Sequence, residues 1–314
     1  MRERSGHPLR IVMMKPTFFY PDTEPLPLPA GHRFPAGKYL ALRSKLIADV
    51  IVGEENLVPA PLASRDDLVR AHDASYVDAV ADGTLDRSIQ RRIGLPWSPV
   101  LARRSRATVG GTLAAARVAL EIGLSGQLAG GTHHAHHAFG SGYCTFNDFA
   151  VAALVMLGEK QVARIGVLDL DVHQGDGNAA LLASRPDVYV VSVHGAKNFP
   201  FRKIASDLDI ALPDGTEDRA YLHAVVDALD ALAAFRPELV LYNSGVDALK
   251  EDKLGRLNVS VEGLHERDLM VFRWAERRAI PMAFAIGGGY ADPITASVAC
   301  YAQTFAAARE VFRC

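Results

Sequence analysis

Short apolar runs recur along the chain at residues 11–14, 165–170, 188–193, 239–242 and 282–286. They are of strand length and show little alternation between apolar and polar positions. That pattern predicts strands covered on both faces. Helix-like segments lie between them, at 38–51, 103–121, 149–157, 219–235 and 264–278, and the run 294–312 predicts a C-terminal helix. Strands alternating with helices predict an α/β fold with a single open, mostly parallel sheet and helices on both faces. The segment 21–35 is rich in proline and reads as an ordered loop, long enough to border an active site. No repeat or low-complexity linker divides the chain, so residues 1–314 are expected to form one catalytic domain.

In such sheets ligands gather beyond the carboxyl ends of the strands, and the polar residues fall there. Asp169, Asp171 and His173 end the run from Ile165, and Ser192, Val193 and His194 end the run from Val188. Asp247 follows Leu239 to Asn243 through Ser244-Gly245, and Gly287-Gly288-Gly289-Tyr290 follows the run from Met282. One further segment, Gly130-Gly-Thr-His133-His134-Ala-His136-His137, places four histidines in five positions ahead of Gly142-Tyr143-Cys144.

Composition narrows the partners. The chain is 49% hydrophobic with a formal net charge of −2, so no basic footprint points to nucleic acid. Arg91-Arg92 and Arg103-Arg104 read as solvated helix faces. Cys144, Cys300 and Cys314 are too scattered for a disulfide framework, which fits a reduced cytoplasmic setting. The run 11–14 is too short for a signal peptide or a membrane span.

The chemistry follows from residue type. Asp171 and His173 are two apart and project to one side of an extended segment. Either could be structural alone, as a helix cap and a packed imidazole. With Asp247 they make three protein ligands and leave a position open, as a catalytic metal site requires. Zn²⁺ and Fe²⁺ both suit an Asp-His-Asp set. His133 and His134 are the candidate acid and base, with Asp169 and Asp176 as the carboxylates that would fix their tautomers. His136 and His137 lie beyond the pair and read as loop or helix-start positions. Tyr290 could donate a hydrogen bond to a carbonyl oxygen as it gains charge, or simply pack in the core. Gly142 and Tyr143 on one side and Phe199 on the other could wall a narrow channel for an extended aliphatic chain.

These motifs, in this order, resemble the zinc-dependent histone deacetylase family, which has an arginase/deacetylase-like α/β fold. The likeness runs from about Leu26 to Tyr301 and is carried by Gly-Gly-X-His133-His134, Gly142-Tyr143-Cys144, Asp169-X-Asp171-X-His173-X-Gly-Asp176-Gly, Ser-Gly-X-Asp247 and Gly-Gly-Gly-Tyr290. Gln174, and the stretch from Leu241 to Asp247 continuing through Asp252 to Leu257, resemble the class IV branch and its bacterial relatives. The resemblance implies Asp171, His173 and Asp247 as metal ligands, His133 and His134 for water activation, and Tyr290 on the scissile carbonyl. It also implies a structural monovalent cation, potassium, near Asp169, Asp171, His173, Ser192 and Val193. Two places depart from the family. The loop Gly94-Leu-Pro-Trp97 has no counterpart of the aspartate with which class I members grip the substrate backbone, and Arg33 takes no firm role.

The expected activity is a metal-dependent amidohydrolase that removes an acetyl or longer acyl group from an acylated amine, foremost acyl-lysine in a peptide or protein. Acetylated polyamines and other small amides are the alternative. An acidic mouth would favour polyamines, with Asp22 and Glu24 as candidates. A binuclear ureohydrolase would need a further carboxylate where Leu249 stands, and a non-catalytic binding module would have no need of the full set of chemical residues. The sequence leaves the oligomeric state open.

Overall fold

A computed structural model describes residues 16–312. In chain order the elements are β1 (Phe18–Tyr20), α1 (Lys38–Ala48), β2 (Leu57–Pro59), α2 (Arg65–Leu68), α3 (Ala74–Asp82), α4 (Arg87–Ile93), α5 (Pro99–Ile122), β3 (Leu124–Gln127), α6 (Asp148–Gly158), β4 (Ile165–Asp169), α7 (Asp176–Leu182), β5 (Val188–Gly195), β6 (Leu208–Leu212), α8 (Asp218–Phe235), β7 (Leu239–Asn243), α9 (Val261–Arg277), β8 (Met282–Ala285) and α10 (Thr295–Phe312). The strands form one eight-stranded sheet in the order β2-β1-β3-β8-β7-β4-β5-β6, and every pair in it is parallel.

The unalternating runs have the expected cause. Val167, Val190, Leu241 and Ala283 point to one side and pack on α3, α5 and α6. Their neighbours Leu168, Val191, Tyr242 and Phe284 point to the other and pack on α1, α8, α9 and α10. Successive side chains in a strand alternate faces, so a strand with a helical layer on each face is apolar throughout.

The helix starts are chemically marked. Ser98 Oγ accepts from the N–H of Leu101, with Pro99 in the first turn, and Ser260 Oγ accepts from Gly263. Asn147 caps α6 by accepting from Ala150.

Several strands lie outside the apolar runs. β1 and β2 have three residues each, too few to register as a pattern. β3 reads Leu-Ser-Gly-Gln, and its Ser125 and Gln127 are fully buried through hydrogen bonds to the carbonyls of Thr17 and Thr108. β6 is an edge strand, half-exposed over most of its length. The strand expected at 11–14 lies outside the described residues.

Register places the chemistry. Asp169 pairs with Ser192 of β5 on one side and with Asn243 of β7 on the other, and Asn243 pairs with Ala285 of β8. The central strands therefore end at one level, and the segments bearing Asp171 and His173, Asp247 and Tyr290 all leave the sheet there.

Candidate active site

The segment after β4 turns back on itself. The N–H of Asp171 donates to Asp169 Oδ1 at 3.3 Å, and the N–H of His173 donates to Asp171 Oδ1 at 3.0 Å. From the end of β7, Asp247 Oδ1 accepts from the N–H of Val172 at 2.9 Å. From the end of β8, the N–H of Gly288 donates to Asp171 Oδ2 at 2.7 Å. These bonds bring Asp171, His173 and Asp247 together with ligand atoms within 4.8 Å of one another, all buried. His173 Nδ1 stands 3.0 Å from both Asp171 Oδ1 and Asp247 Oδ2.

Glycine is required where the backbone passes this cluster. A Cβ on Gly288 would lie 1.9 Å from Asp247 Oδ2, and Gly287 has φ +57°.

The donors fit a divalent cation. Burial and the adjacent Asp171 push the Asp247 carboxyl up to about 7. Burial opposes charge on the His173 ring, yet the two carboxylates raise it to about 10. Two buried carboxylates and an imidazole converge there, in the residue types that zinc or iron takes. Among the described residues no other set of three such side chains converges in this way.

Beside this cluster His133 Nδ1 lies 2.7 Å from Asp169 Oδ2, and His134 Nδ1 lies 2.6 Å from Asp176 Oδ1. The two rings are 4.1 Å apart. Each Nδ1–H donates to its carboxylate, which leaves Nε2 as the working nitrogen. Burial opposes charge on His133, but Asp169 and Asp171 outweigh it and raise its pKa to about 9. Burial and the neighbouring His133 push His134 down to about 4.

Asp169 is further held by Asn243 Nδ2 at 2.8 Å and Asn178 Nδ2 at 3.1 Å. The histidine segment is anchored by Asp148, in the first turn of α6. Asp148 accepts from the N–H groups of Gly131 and Thr132 and from the Thr112 hydroxyl. Sequence reasoning assigned none of these supporting residues. An Asn-Asp pair at a helix start, as at Asn147-Asp148, reads as a cap and nothing more.

Two further residues, His136 and Lys38, were given no part in the chemistry. His136 Nε2 donates to Asp176 Oδ2 at 2.9 Å, so Asp176 holds a histidine on each oxygen. Burial alone would raise the Asp176 carboxyl, but its bonds to His134 and His136 hold it well below the usual range. His137 faces away and bonds the carbonyl of Ala71. Lys38, the first residue of α1, would read as a solvated lysine but is only 2% exposed. It donates to the carbonyl of Gly289 at 3.1 Å and to the Tyr301 hydroxyl at 3.0 Å, and it lies 4.8 Å from the centre of the Tyr290 ring. Burial pulls its pKa down to about 8 against the attraction of Asp247, Asp252 and Asp171.

Asp171, His173 and Asp247 line a cavity of about 960 Å³ together with His133, His134, His136 and Asp176. Tyr290 forms part of its wall, and burial pushes its phenol well above the ordinary value. Gly142, Tyr143 and Phe199 line it too. The Phe199 ring meets His134 edge-on at 4.8 Å, and Tyr143 lies 6.1 Å from Tyr290. Ser192 hydrogen-bonds His194 Nδ1 at 3.0 Å. Asp22 and Glu24 do not reach the cavity, and pair with Arg43 and Arg103 instead. Leu249 is 1% exposed and offers no second carboxylate beside Asp247.

A parallel α/β sheet with this constellation at its carboxyl edge is the frame of a deacetylase-type amidohydrolase, and the chain belongs to the histone deacetylase family. The Histone deacetylase domain matches residues 32–306. The chain is 41% identical to an uncharacterized protein of Picosynechococcus over 95% of its length and 99% of that protein. It is 31% identical to Histone deacetylase 2 of Arabidopsis thaliana over 82% of its length and 70% of that protein. A crystal structure of an HDAC homologue complexed with SAHA shares the fold, with a TM-score of 0.79 at 22% identity over 95% of this chain and 89% of that one.

Proposed function

We propose that the chain is a zinc-dependent deacylase that removes acetyl or longer acyl groups from acylated amines, foremost acyl-lysine in a peptide or protein. Fe²⁺ is the other metal its donor set would accept. The observation that carries this reading is the convergence of Asp171, His173 and Asp247 with the His133–Asp169 and His134–Asp176 pairs on one cavity. A divalent ion on the first three would supply positive charge that polarises a carbonyl and acidifies water.

The chain's own groups divide the proton work. His134, held neutral by burial, is the base that takes a proton from water at Nε2. His133, oriented through Nδ1 by Asp169, is the acid that delivers one to the leaving amine from Nε2. Tyr290, kept un-ionised, donates a hydrogen bond to the carbonyl oxygen as charge develops there. Tyr143 and Phe199 line the path of an acyl-lysine stem and keep water from it.

Gln174 supports the class IV placement. Its amide bonds both the N–H and the carbonyl of Ile204 and so ties down the loop that bears Phe199. A potassium ion near Asp169, Asp171, His173, Ser192 and Val193 draws support from register, which sets Asp169 beside Ser192 at adjacent strand ends. Cytoplasmic placement rests on the scattered cysteines. No helix among the described residues is long and apolar enough to cross a membrane.

The test is turnover of zinc-loaded protein on acetyl-lysine peptide, long-chain acyl-lysine peptide and acetylated polyamines, with Asp171→Asn as blank. Hydrolysis of an acyl-lysine peptide, absent in the blank, is the expected result. Metal-replete protein that hydrolyses none of them would overturn the reading.

A further inference from the structure

The charges lining the cavity separate by depth. Its carboxylates, Asp171, Asp176 and Asp247, are all buried and all engaged with histidines. Its lip carries Arg92, Lys197, Arg202, Lys203 and Arg256, of which Lys203 is half-buried and the others exposed. No exposed acidic residue lines the cavity among the described residues.

Little of this positive charge is neutralised. Asp214 is shared by Lys197 at 3.7 Å and Arg256 at 3.3 Å. Arg92 stacks on the Phe139 ring at 4.2 Å, and Lys203 donates to the carbonyls of Asn198 and Pro200 at 2.6 Å. Arg202 has no acidic partner among the described residues.

The bearing segment is held in place. Residues 197–203 follow β5, Asn198 Nδ2 donates to the carbonyl of Leu254 at 2.8 Å, and Gln174 fixes Ile204 just beyond. Between its charges the same segment presents Phe199 to the interior and Phe201, 86% exposed, to the lip. The two rings meet edge-on at 6.3 Å. Where the sequence lacks an aspartate to grip a substrate backbone, the adjoining rim position is Arg92.

Resting on the deacylase reading, we infer that the amine side of the substrate is anionic: an acyl-lysine flanked by aspartate or glutamate, not a polyamine. With the acyl group at the metal cluster and the lysine stem between Tyr143 and Phe199, the flanking residues lie on the cationic lip. Acidic side chains there meet complementary charge and are steered to the mouth, whereas a second ammonium group meets repulsion.

The test uses three acetyl-lysine peptides identical except for flanking Glu, Gln or Lys, together with N-acetylputrescine. kcat/KM of the zinc-loaded protein is measured at low and high salt. Binding of the labelled peptides to the Tyr290→Phe protein is followed separately by fluorescence anisotropy. The expected order is Glu over Gln over Lys, with a Glu-to-Lys ratio of about tenfold or more at low salt that shrinks as salt is added. The double variant Lys197→Glu/Arg202→Glu collapses or inverts that ratio. Equal rates for the three peptides, a preference for Lys or for N-acetylputrescine, or a ratio untouched by the double variant overturns the inference and leaves the deacylase standing. The binding order preserved with no hydrolysis of any substrate supports the anionic ligand and overturns the deacylase instead.

Discussion

His72→Phe removes a ring that braces the segment carrying His133 and His134. His72 is 1% exposed. Its Nδ1–H donates to the carbonyl of His136 and its Nε2 accepts from the N–H of Asn147, both at 2.9 Å. Only the neutral ring with its proton on Nδ1 satisfies both partners. Burial accordingly pulls the pKa from 6.5 to about 4. The unfolded chain then binds a proton that the native ring refuses. The stabilisation is complete above pH 6.5 and is lost as the pH falls toward about 4. At 1.36 kcal/mol per unit the full loss is about 3 kcal/mol, of which about 2 kcal/mol has gone by pH 5. At pH 7.5 phenylalanine strands a buried carbonyl and a buried N–H, at about 2–6 kcal/mol together. Phenylalanine does not titrate, so the stability gap between wild type and variant narrows by about 2 kcal/mol between pH 7.5 and pH 5. Urea unfolding of metal-stripped protein at both pH values measures the gap, and the other titrating groups, shared by both chains, cancel. A gap that stays constant with pH refutes the assignment of His72 as a neutral brace.

At the metal cluster, Asp171→Asn is expected to leave less than about a tenth of the wild-type metal by elemental analysis, because the site loses a ligand and a charge; full retention removes Asp171 from the ligand set. Tyr290→Phe keeps its metal and loses about 10²-fold in kcat, and a near-wild-type kcat discards the phenol's role. His136→Leu frees one oxygen of Asp176 and lowers kcat by about tenfold with KM and metal content unchanged, while His136→Gln, which can still donate, recovers most of that loss. If Gln and Leu behave alike, the bond from His136 does not support His134.

The predicted helices reappear with ends shifted by a few residues, and four of the five predicted strands fall among the described residues as strands of the sheet. They were legible because a strand covered on both faces must be apolar throughout, and that leaves a mark in one short window. β3 left no such mark. Its Ser125 and Gln127 are buried on the strength of partners far along the chain, Thr17 and Thr108. The pairs His133 with Asp169 and His134 with Asp176 could be written down in advance, since both carboxylates lie on the one segment that leaves the sheet after β4, Asp169 at the strand end and Asp176 at the start of α7. The second histidine on Asp176 could not, because two residues of loop decide whether His136 turns inward. Lys38 was hidden for a different reason. A lysine in the first turn of a helix is ordinarily solvated, and only the packing of α1 against α10 closes water away from this one.

The sequence by itself determined the fold class, the family and the residue types of the chemical cluster, because each is set by local periodicity or by motifs within a few positions. The tertiary structure decided what depends on distance between remote segments. It set the depth at which the carboxylates lie, the withdrawal of Asp22 and Glu24 into pairs with Arg43 and Arg103, and the gathering of Arg92, Arg202 and Arg256 onto one lip. A net charge of −2 carries no sign of a cationic mouth, because the field at a cavity depends on where charges stand and not on their sum.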